Sequence, residues 1–396
     1  MKTPSSKFLQ SCTRPLGLAF FLGVLWAFPL AAPTVAKEAV ESGSLQLTPL
    51  RTLKNDFIIN RLAWHPDNKT LAVGQNLNKK IAIWSIETGQ VIRVLDKETG
   101  GVGALAYSPD GKYLAVGRVA TRHTPDHAHV HLYDAYSGEL VRRFVPPAAE
   151  KGDANDVGAI AFSPDSRRLA THGYGGGGVG VVYDLPSGKV VAKLGDGTGI
   201  LYSLTFSPDG RWLAVGRSDR SDSWLDKGGR QVFYHVGRVE LRSTNSWEVA
   251  QSITIPSSNI IHFIVQAVTF SPDSKQLVSR TRPAFGGSLD QRTGKWVTPE
   301  RGDSVKLWNV ATTKQVGSLA SSHIGGVGEK LQYSMDGKLL FMGGVDKNIE
   351  IWFVDSATKL RTLVGFSQTV HFTLNHANTL LATASGEEIK LWELTR

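Results

Sequence analysis

A short sequence phrase recurs seven times along this chain, and it constrains the fold more than any other feature. Each copy has an apolar run, a turn of the type Ser-Pro-Asp-Gly and a second apolar run, although the turn is a variant at Ser334-Met335-Asp336 and degenerate at Asn375-His376-Ala377. Proline presets φ in such a turn, aspartate or serine bonds to its own backbone, and glycine accepts positive φ. Short runs rich in Val, Ile, Leu and aromatics predict β-strands. The turns begin at His65, Ser108, Ser163, Ser207, Ser271, Ser334 and Asn375.

A third and a fourth apolar run follow in the repeats. The third run ends in an aromatic residue in six of the seven copies: IAIW (81–84), VHLY (130–133), VVY (181–183), VELR (239–242), VKLW (305–308), IEIW (349–352) and IKLW (389–392). Several runs are apolar at consecutive positions, which is typical of strands covered on both faces. Seven four-stranded sheets bury those faces when they stack radially. We therefore predict an all-β fold, a seven-bladed β-propeller of four-stranded antiparallel sheets.

The repeats over about 45–396 resemble the WD-repeat propeller family in period, turn and third strand. The resemblance implies a scaffold that binds proteins or peptides through its loop rim and central opening. It also implies a buried His–Ser–Asp–Trp network, but the family's Gly-His pair is missing, with His323 its closest stand-in, and the loop aspartate is plain only at Asp346. The nearest matches to the Trp-Asp pair are Tyr133-Asp134, Tyr183-Asp184, Trp308-Asn309 and Trp392-Glu393.

The two ends of the repeat region complement each other. The last copy stops at Arg396 after its third strand, and the segment LQLTPLRTL (45–53) before the first copy resembles a fourth strand. We expect 45–53 to complete the last blade, because this pairing removes two exposed sheet edges.

Residues 1–36 have the order of a secretory signal peptide. Lys2, Lys7 and Arg14 precede an apolar run, LGLAFFLGVLWAFPLAA (16–32), and small residues lead to Ala36. The sequence predicts cleavage near Ala36, a propeller domain over 37–396, and a periplasmic or secreted protein. The alternative is an uncleaved membrane anchor, although the run is short for a span and contains Pro29. Cys12 lies in the leader, so the mature chain would have no cysteine.

Charge and motifs exclude several functions. The net charge is +9, three of the cations lie in the leader, and no basic tract long enough to track phosphates follows, so nucleic acid is not an expected partner. Gly173, Gly175 and Gly178 have dinucleotide-loop spacing, but a strand follows where a helix would be needed. No nucleophile elbow or zinc-protease motif appears. We predict a non-catalytic exported scaffold without a cofactor; the alternative is an exported propeller enzyme, hydrolytic or metal-dependent, with its site on the same face.

Extra residues concentrate in particular connections. They fall between second and third strands at 118–129, 217–238 and 281–304, and between a fourth and a first strand at 145–157. In a propeller these connections open at one end and the tight turns lie at the other. Insertions would concentrate at one end if the loops there carry the function. The alternative is that the inserted loops are neutral additions to the surface.

Two of these insertions, 217–238 and 280–304, are rich in arginine and aromatic residues. Arginine pairs carboxylates in bidentate fashion, and Trp, Tyr and Arg dominate interface energetics. They predict a surface for an acidic protein or peptide, against the alternative of solvated loops that pack locally. The predicted contact residues are Arg217, Arg220, Trp224, Arg230, Tyr234, Arg238, Arg280, Arg282, Phe285, Arg292 and Trp296.

A histidine cluster is a candidate metal site. His129 and His131 are two apart at the start of a third strand, so they share a sheet face, and His127 lies nearby. Zinc accepts three histidines and a water. The alternative is a solvated strand position, because other repeats place polar residues at the position of His131, including Glu240, Lys306, Glu350 and Lys390.

Overall fold

The computed structural model describes residues 45–75, 80–95, 101–119, 130–145, 156–174, 180–195, 199–225, 231–255, 263–283, 288–290, 295–297, 305–321, 330–343 and 346–395. Of these, residues 174, 220–225, 231–235, 283, 288–290 and 295–297 are described by their backbone alone. Every helix or strand in this part of the chain is a β-strand. None of the described segments is therefore an apolar helix of membrane-spanning length.

Seven sheets of four antiparallel strands form the blades, which confirms the predicted seven-bladed architecture. The first strand along the chain, β1 (Gln46–Lys54), belongs to the last blade. Blade 1 contains β2 (Ile59–Trp64), β3 (Thr70–Gln75), β4 (Ile81–Ser85) and β5 (Val91–Leu95). Blade 2 contains β6 (Gly101–Tyr107), β7 (Tyr113–Val119), β8 (Val130–Asp134) and β9 (Leu140–Phe144). Blade 3 contains β10 (Asp156–Phe162), β11 (Arg168–Tyr174), β12 (Gly180–Asp184) and β13 (Val190–Leu194).

The remaining blades follow the same order of strands. Blade 4 contains β14 (Gly199–Phe206), β15 (Trp212–Leu225), β16 (Gln231–Ser243) and β17 (Val249–Thr254). In blade 5, β18 (Phe263–Phe270) and β19 (Gln276–Pro283) are followed by a two-stranded ribbon, β20 (Ser288–Asp290) and β21 (Lys295–Val297), and then by β22 (Val305–Asn309) and β23 (Gln315–Leu319). Blade 6 contains β24 (Lys330–Tyr333), β25 (Leu339–Gly343), β26 (Ile349–Phe353) and β27 (Thr358–Leu363). Blade 7 contains β28 (His371–Leu374), β29 (Leu380–Ser385), β30 (Glu388–Thr395) and β1.

The first strand of each blade is innermost, and these strands contact one another in ring order from β2 through β28 and back to β2. Seven hydrophobic clusters lie between the blades, one at each interface. Consecutive strand residues are buried because both faces of every sheet pack against a neighbour. A single blade has no such cover, so the ring depends on closure.

Strand β1 closes the ring as expected for 45–53. It pairs antiparallel with β30, and the register shifts between Pro49 and Arg51. A shift of one residue moves later side chains to the other face. Leu47 is consequently buried against blade 6 and Leu53 against blade 1. A further bond crosses the same junction, since the indole of Trp64 donates to the carbonyl of Thr373 at 3.0 Å.

The tight turns between first and second strands define one end of the propeller, which we call the turn end. The fourth position of every such turn has positive φ, whether it is glycine or not: Asn68, Gly111, Ser166, Gly210, Ser274, Gly337 and Asn378. Where serine occupies the position, its hydroxyl bonds to the preceding blade. Ser166 Oγ accepts from Asp110 N and Ser274 Oγ accepts from Asp209 N, both at 3.0 Å. The strained serines thus link neighbouring blades.

These turns give a stability prediction. Ser166→Ala keeps the left-handed backbone and removes a part-buried hydrogen bond between two blades, so it should cost about 1 kcal/mol of unfolding free energy. Ser166→Gly loses the same bond but relieves backbone strain of roughly 1 kcal/mol, and should therefore cost less. Denaturant unfolding of the two variants and the parent measures the difference. Equal costs for alanine and glycine would show that the backbone strain contributes nothing.

The opposite end of the propeller, which we call the loop end, carries the connections between second and third strands. The predicted insertion 217–238 is mostly regular here, not an irregular loop. β15 and β16 are 14 and 13 residues long, and their ladder continues to the pair Leu225↔Gln231. Blade 4 therefore projects a β-hairpin at the loop end. The insertion 281–304 contains the short β20–β21 ribbon.

The tryptophan network implied by the family resemblance is present in part. Trp308 Nε1 donates to Ser279 Oγ at 2.8 Å in blade 5, and Trp392 Nε1 donates to Thr383 Oγ1 at 2.9 Å in blade 7. Both bonds join the third-strand aromatic to a second-strand hydroxyl. In blade 6, Trp352 Nε1 instead donates to Glu350 at 3.1 Å.

Candidate functional site

The central channel is a concave site in the described part of the chain. Its cavity has a volume of about 430 Å³ and is lined mainly by the innermost strands of all seven blades. Five of these strands have a register shift near their loop-end half, at Asn60, Gly103, Gly158, Tyr202 and Gln266. Bulges of this kind redirect side chains. The lining residues lie near the middle of these innermost strands.

One structural position sets the chemistry of the channel: the residue four before the start of each tight turn. In blade order this position holds Arg61, Ala104, Ala159, Ser203, Ala267, Lys330 and His371. The basic residues occupy the adjacent blades 6, 7 and 1, and small residues occupy the other four. Arg282 from β19 of blade 5 also lines the channel. We call Arg61, Arg282, Lys330 and His371 the basic wall.

The three blades opposite form the small wall, defined by Ala104, Ala159 and Ser203. Leu105 and Ile160 lie beside it and are half-buried. The described channel lining includes no aspartate or glutamate. The channel is therefore polarised, with positive charge on one side and small or apolar groups on the other.

Arg61 is held in place by backbone carbonyls. Its Nε donates to Gly103 O and its Nη1 to Asn60 O, each at 2.6 Å. Beside it, Asn60 Nδ2 donates to Val102 O at 2.7 Å. Both side chains thus reach from blade 1 to blade 2, and these bonds orient the Arg61 guanidinium.

The surroundings of Lys330 and His371 lower the pKa of both side chains. Burial and, to a lesser extent, the positive charge of Arg61 together lower the pKa of Lys330 to about 8. Burial, Arg61 and Lys330 lower the pKa of His371 to about 3, so this imidazole is neutral at physiological pH. The Lys330 ammonium lies 5.8 Å from the centre of the Phe372 ring. An anion placed here would raise both pKa values, because a nearby negative charge favours the protonated forms.

Among the predicted partner-binding residues, Arg217 and Arg238 come together around one carboxylate. Arg217 Nε lies 2.5 Å from Asp219 Oδ1, and Arg238 Nε lies 3.1 Å from Asp219 Oδ2. Arg217 also pairs with Glu240 at 2.9 Å and is only 4% exposed. We therefore remove Arg217 from the partner-binding set, since its charge is used inside blade 4.

The other predicted contact residues divide into three groups. Arg280 is 0% exposed and is removed from the set, whereas Arg282 lines the channel. Arg220, Trp224 and Tyr234 lie on the projecting hairpin and Trp296 on β21, where only the backbone is described. Arg230, Phe285 and Arg292 lie outside the described residues. The contact role of the residues that remain stays a prediction.

The candidate metal site is described only at His131, because His127 and His129 lie outside the described residues. Within the described ranges, no three His, Cys, Asp or Glu residues are grouped to hold a metal ion. The alternative of a solvated position at 131 is also corrected. His131 is 3% exposed, and the equivalent Glu240 and Glu350 are 5% and 0% exposed, because third strands lie inside the sheet and neighbouring blades cover them.

The basic wall was missed in the sequence, although a signal for it was available. Counting back four residues from each turn would have aligned Arg61, Lys330 and His371 with four small residues. The insertions are conspicuous in the sequence because they are long, whereas the channel residues lie in strands of ordinary length.

Comparison with known proteins supports the architecture. The WD domain, G-beta repeat family matches residues 89–122 and 188–222. The anaphase-promoting complex subunit 4 WD40 domain matches residues 45–102.

One relative among known proteins has WD repeats in its name, and another is named as a cofactor of a complex. WD repeat-containing protein SL1-17 of Schistosoma mansoni is 28% identical over 41% of this chain and 49% of that protein. Cell division cycle 20.4, cofactor of APC complex, from Arabidopsis thaliana is 24% identical over 91% of this chain and 71% of that protein. Protein groucho of Drosophila melanogaster is 29% identical over 43% of this chain and 21% of that protein. Together with the fold, these similarities support a propeller of the WD-repeat type.

Proposed function

We propose that this chain is a non-catalytic scaffold that binds an acidic protein partner at its loop end. The observation that carries the proposal is the basic wall, which gathers Arg61, Arg282 and Lys330 around the central channel, with Arg282 near the loop-end terminus of β19. Acidic groups approaching this end would meet positive charge, and complementary charge favours both specificity and association rate. The projecting hairpin of blade 4 lies at the same end and extends the surface that a partner could contact.

A binding role fits the described channel better than catalysis does. His371 is the imidazole in the lining, and its neighbours are the cations Lys330 and Arg61, not a carboxylate that would orient it as a base. The relative from Arabidopsis thaliana is named as a cofactor of a complex, which supports a partner-binding role for this chain. The alternative of an exported enzyme predicts turnover that depends on channel residues.

We also propose export, with cleavage near Ala36, which would place the partner outside the cytosol. The support is the order of positive, apolar and small residues over 1–36. N-terminal sequencing of protein from the extracytoplasmic fraction should find a chain beginning near Lys37. A full-length chain confined to the cytosol would refute export without affecting the loop-end proposal.

Photocrosslinking tests the binding end. A benzophenone amino acid is placed at position 224 on the hairpin, and the matched control carries it at Tyr136, an aromatic that is 65% exposed in a turn-end loop. In the full chain expressed in its own cells, we expect discrete protein adducts from position 224 that position 136 does not give. The same adducts from both positions, or none from 224, would contradict the proposed function. Hydrolysis by the purified parent that Arg61→Gln abolishes would favour the enzyme alternative.

A further inference from the structure

We propose that the central channel binds a carboxylate carried next to an apolar side chain, as in an acidic peptide segment of the partner. The inference builds on the proposed function, since it names the chemistry of the segment that enters the channel. It rests on the polarity of the channel, with the basic wall in blades 5, 6, 7 and 1 and the small wall in blades 2, 3 and 4.

The basic wall supplies the groups that recognise a carboxylate. Lysine and arginine donate charge-assisted hydrogen bonds, which are about twice as strong as neutral ones. The Arg61 guanidinium is already fixed by Gly103 O and Asn60 O, so little side-chain freedom is lost when a ligand binds beside it. His371 lies in blade 7, between Lys330 of blade 6 and Arg61 of blade 1. A cation therefore lies on each side of the neutral imidazole.

The small wall supplies room for an apolar group. Ala104, Ala159 and Ser203 are short, and Leu105 and Ile160 contribute apolar surface beside them. A volume of about 430 Å³ is in the range of small-ligand sites and suits one or two residues of a peptide better than a bulky folded element. The ligand therefore carries its charge on one side and apolar atoms on the other.

The protonation of Lys330 makes the binding affinity depend on pH. The charged and titratable groups around it in the described channel are Arg61, Arg282, His371 and the phenol of Tyr202. The pKa of Lys330 is lowered to about 8, so the ammonium is lost as the pH rises through 8. A bound carboxylate favours the ammonium, so binding should weaken above pH 8 and take up protons near that pH.

The test is calorimetric titration of the full chain with capped dipeptides. Acetyl-Glu-Leu-amide is compared with the neutral acetyl-Gln-Leu-amide and with acetyl-Glu-Gly-amide, which lacks the apolar side chain. We expect the first to bind most tightly, with affinity falling between pH 7 and pH 9. Equal binding of the Glu-Leu and Gln-Leu peptides would overturn the inference. Tighter binding of acetyl-phosphoserine-Leu-amide would overturn the assignment of a carboxylate.

Two variants locate the site. Lys330→Met keeps the apolar stem and removes the charge, and should weaken the Glu-Leu peptide about tenfold or more and abolish the pH dependence. Lys338→Met removes an exposed lysine of the same blade at the turn end and should change neither. Equal effects of the two substitutions would overturn the inference.

The two proposals can fail separately. Peptide binding that depends on Lys330, without adducts at position 224, would uphold the channel site and refute the loop-end scaffold. Adducts at 224 from a protein that binds no peptide would do the reverse. Thermal unfolding of each variant confirms that it is folded before binding is measured.

Discussion

Replacing Leu53 with alanine is expected to lower the free energy of unfolding of the whole propeller by about 3 kcal/mol. Leu53 is 4% exposed and packs with Ile59 and Trp64 of blade 1 and with Ala384 of blade 7. It lies on β1, so the cavity opens in the interface that joins the two ends of the fold. Because each blade is stabilised by its neighbours, the loss should appear as one earlier transition in denaturant.

Leu50 on the same strand is the matched control. It lies at the register shift of β1 and is 54% exposed, so Leu50→Ala should change stability by no more than about 0.5 kcal/mol. Equal effects at the two positions would mean that β1 does not close the ring in solution. An early transition limited to blade 7 would mean that closure does not couple the blades.

Replacing Glu350 with alanine should cost roughly 3 kcal/mol as well, because two buried donors, Ser321 Oγ and Trp352 Nε1, lose the carboxylate that accepts from them. Glu350 is 0% exposed and accepts from Ser321 Oγ at 2.8 Å, Trp352 Nε1 at 3.1 Å and Lys359 Nζ at 3.0 Å. All three donors would lose their acceptor together. Glu350→Gln keeps one acceptor oxygen and should cost less.

Glu388 provides the control for this substitution. It lies on β30, its side chain is 51% exposed, and its contact with Lys390 is 3.8 Å long. Glu388→Ala should be close to neutral, as exposed ion pairs contribute little. The comparison is made by denaturant unfolding at neutral pH. A cost for Glu350→Ala no larger than that for Glu388→Ala would contradict the structural role of the buried carboxylate.

The architecture was predictable because turn chemistry and strand period are local. Proline, aspartate or glycine at six of the seven turns marks where the strands end, and the three-strand last repeat points to β1 as the missing strand. The register shift between Pro49 and Arg51 was not predictable, because it follows from packing against two blades at once. It places Leu47 and Leu53, six residues apart, on opposite faces of the strand.

Charge in the sequence was a weaker guide to the site. Arg217 and Arg280 counted as surface cations until the structure placed them inside blades. Asp219 draws Arg217 and Arg238 together, so the formal charge of that insertion overstated what a partner would meet. The channel cations Arg61 and Lys330 are separated by most of the chain, and only ring closure brings their blades to either side of blade 7.

Hydrogen exchange measured by mass spectrometry tests most directly whether partners bind at the loop end. The full chain is measured alone and with the protein captured from position 224. We predict slower exchange at 59–62, 330–333 and 371–374 and along the β15–β16 hairpin, with the turn-end segments 65–69 and 108–112 unchanged. Slower exchange confined to those turns or to the outer fourth strands, with the channel strands unchanged, would contradict binding at the loop end.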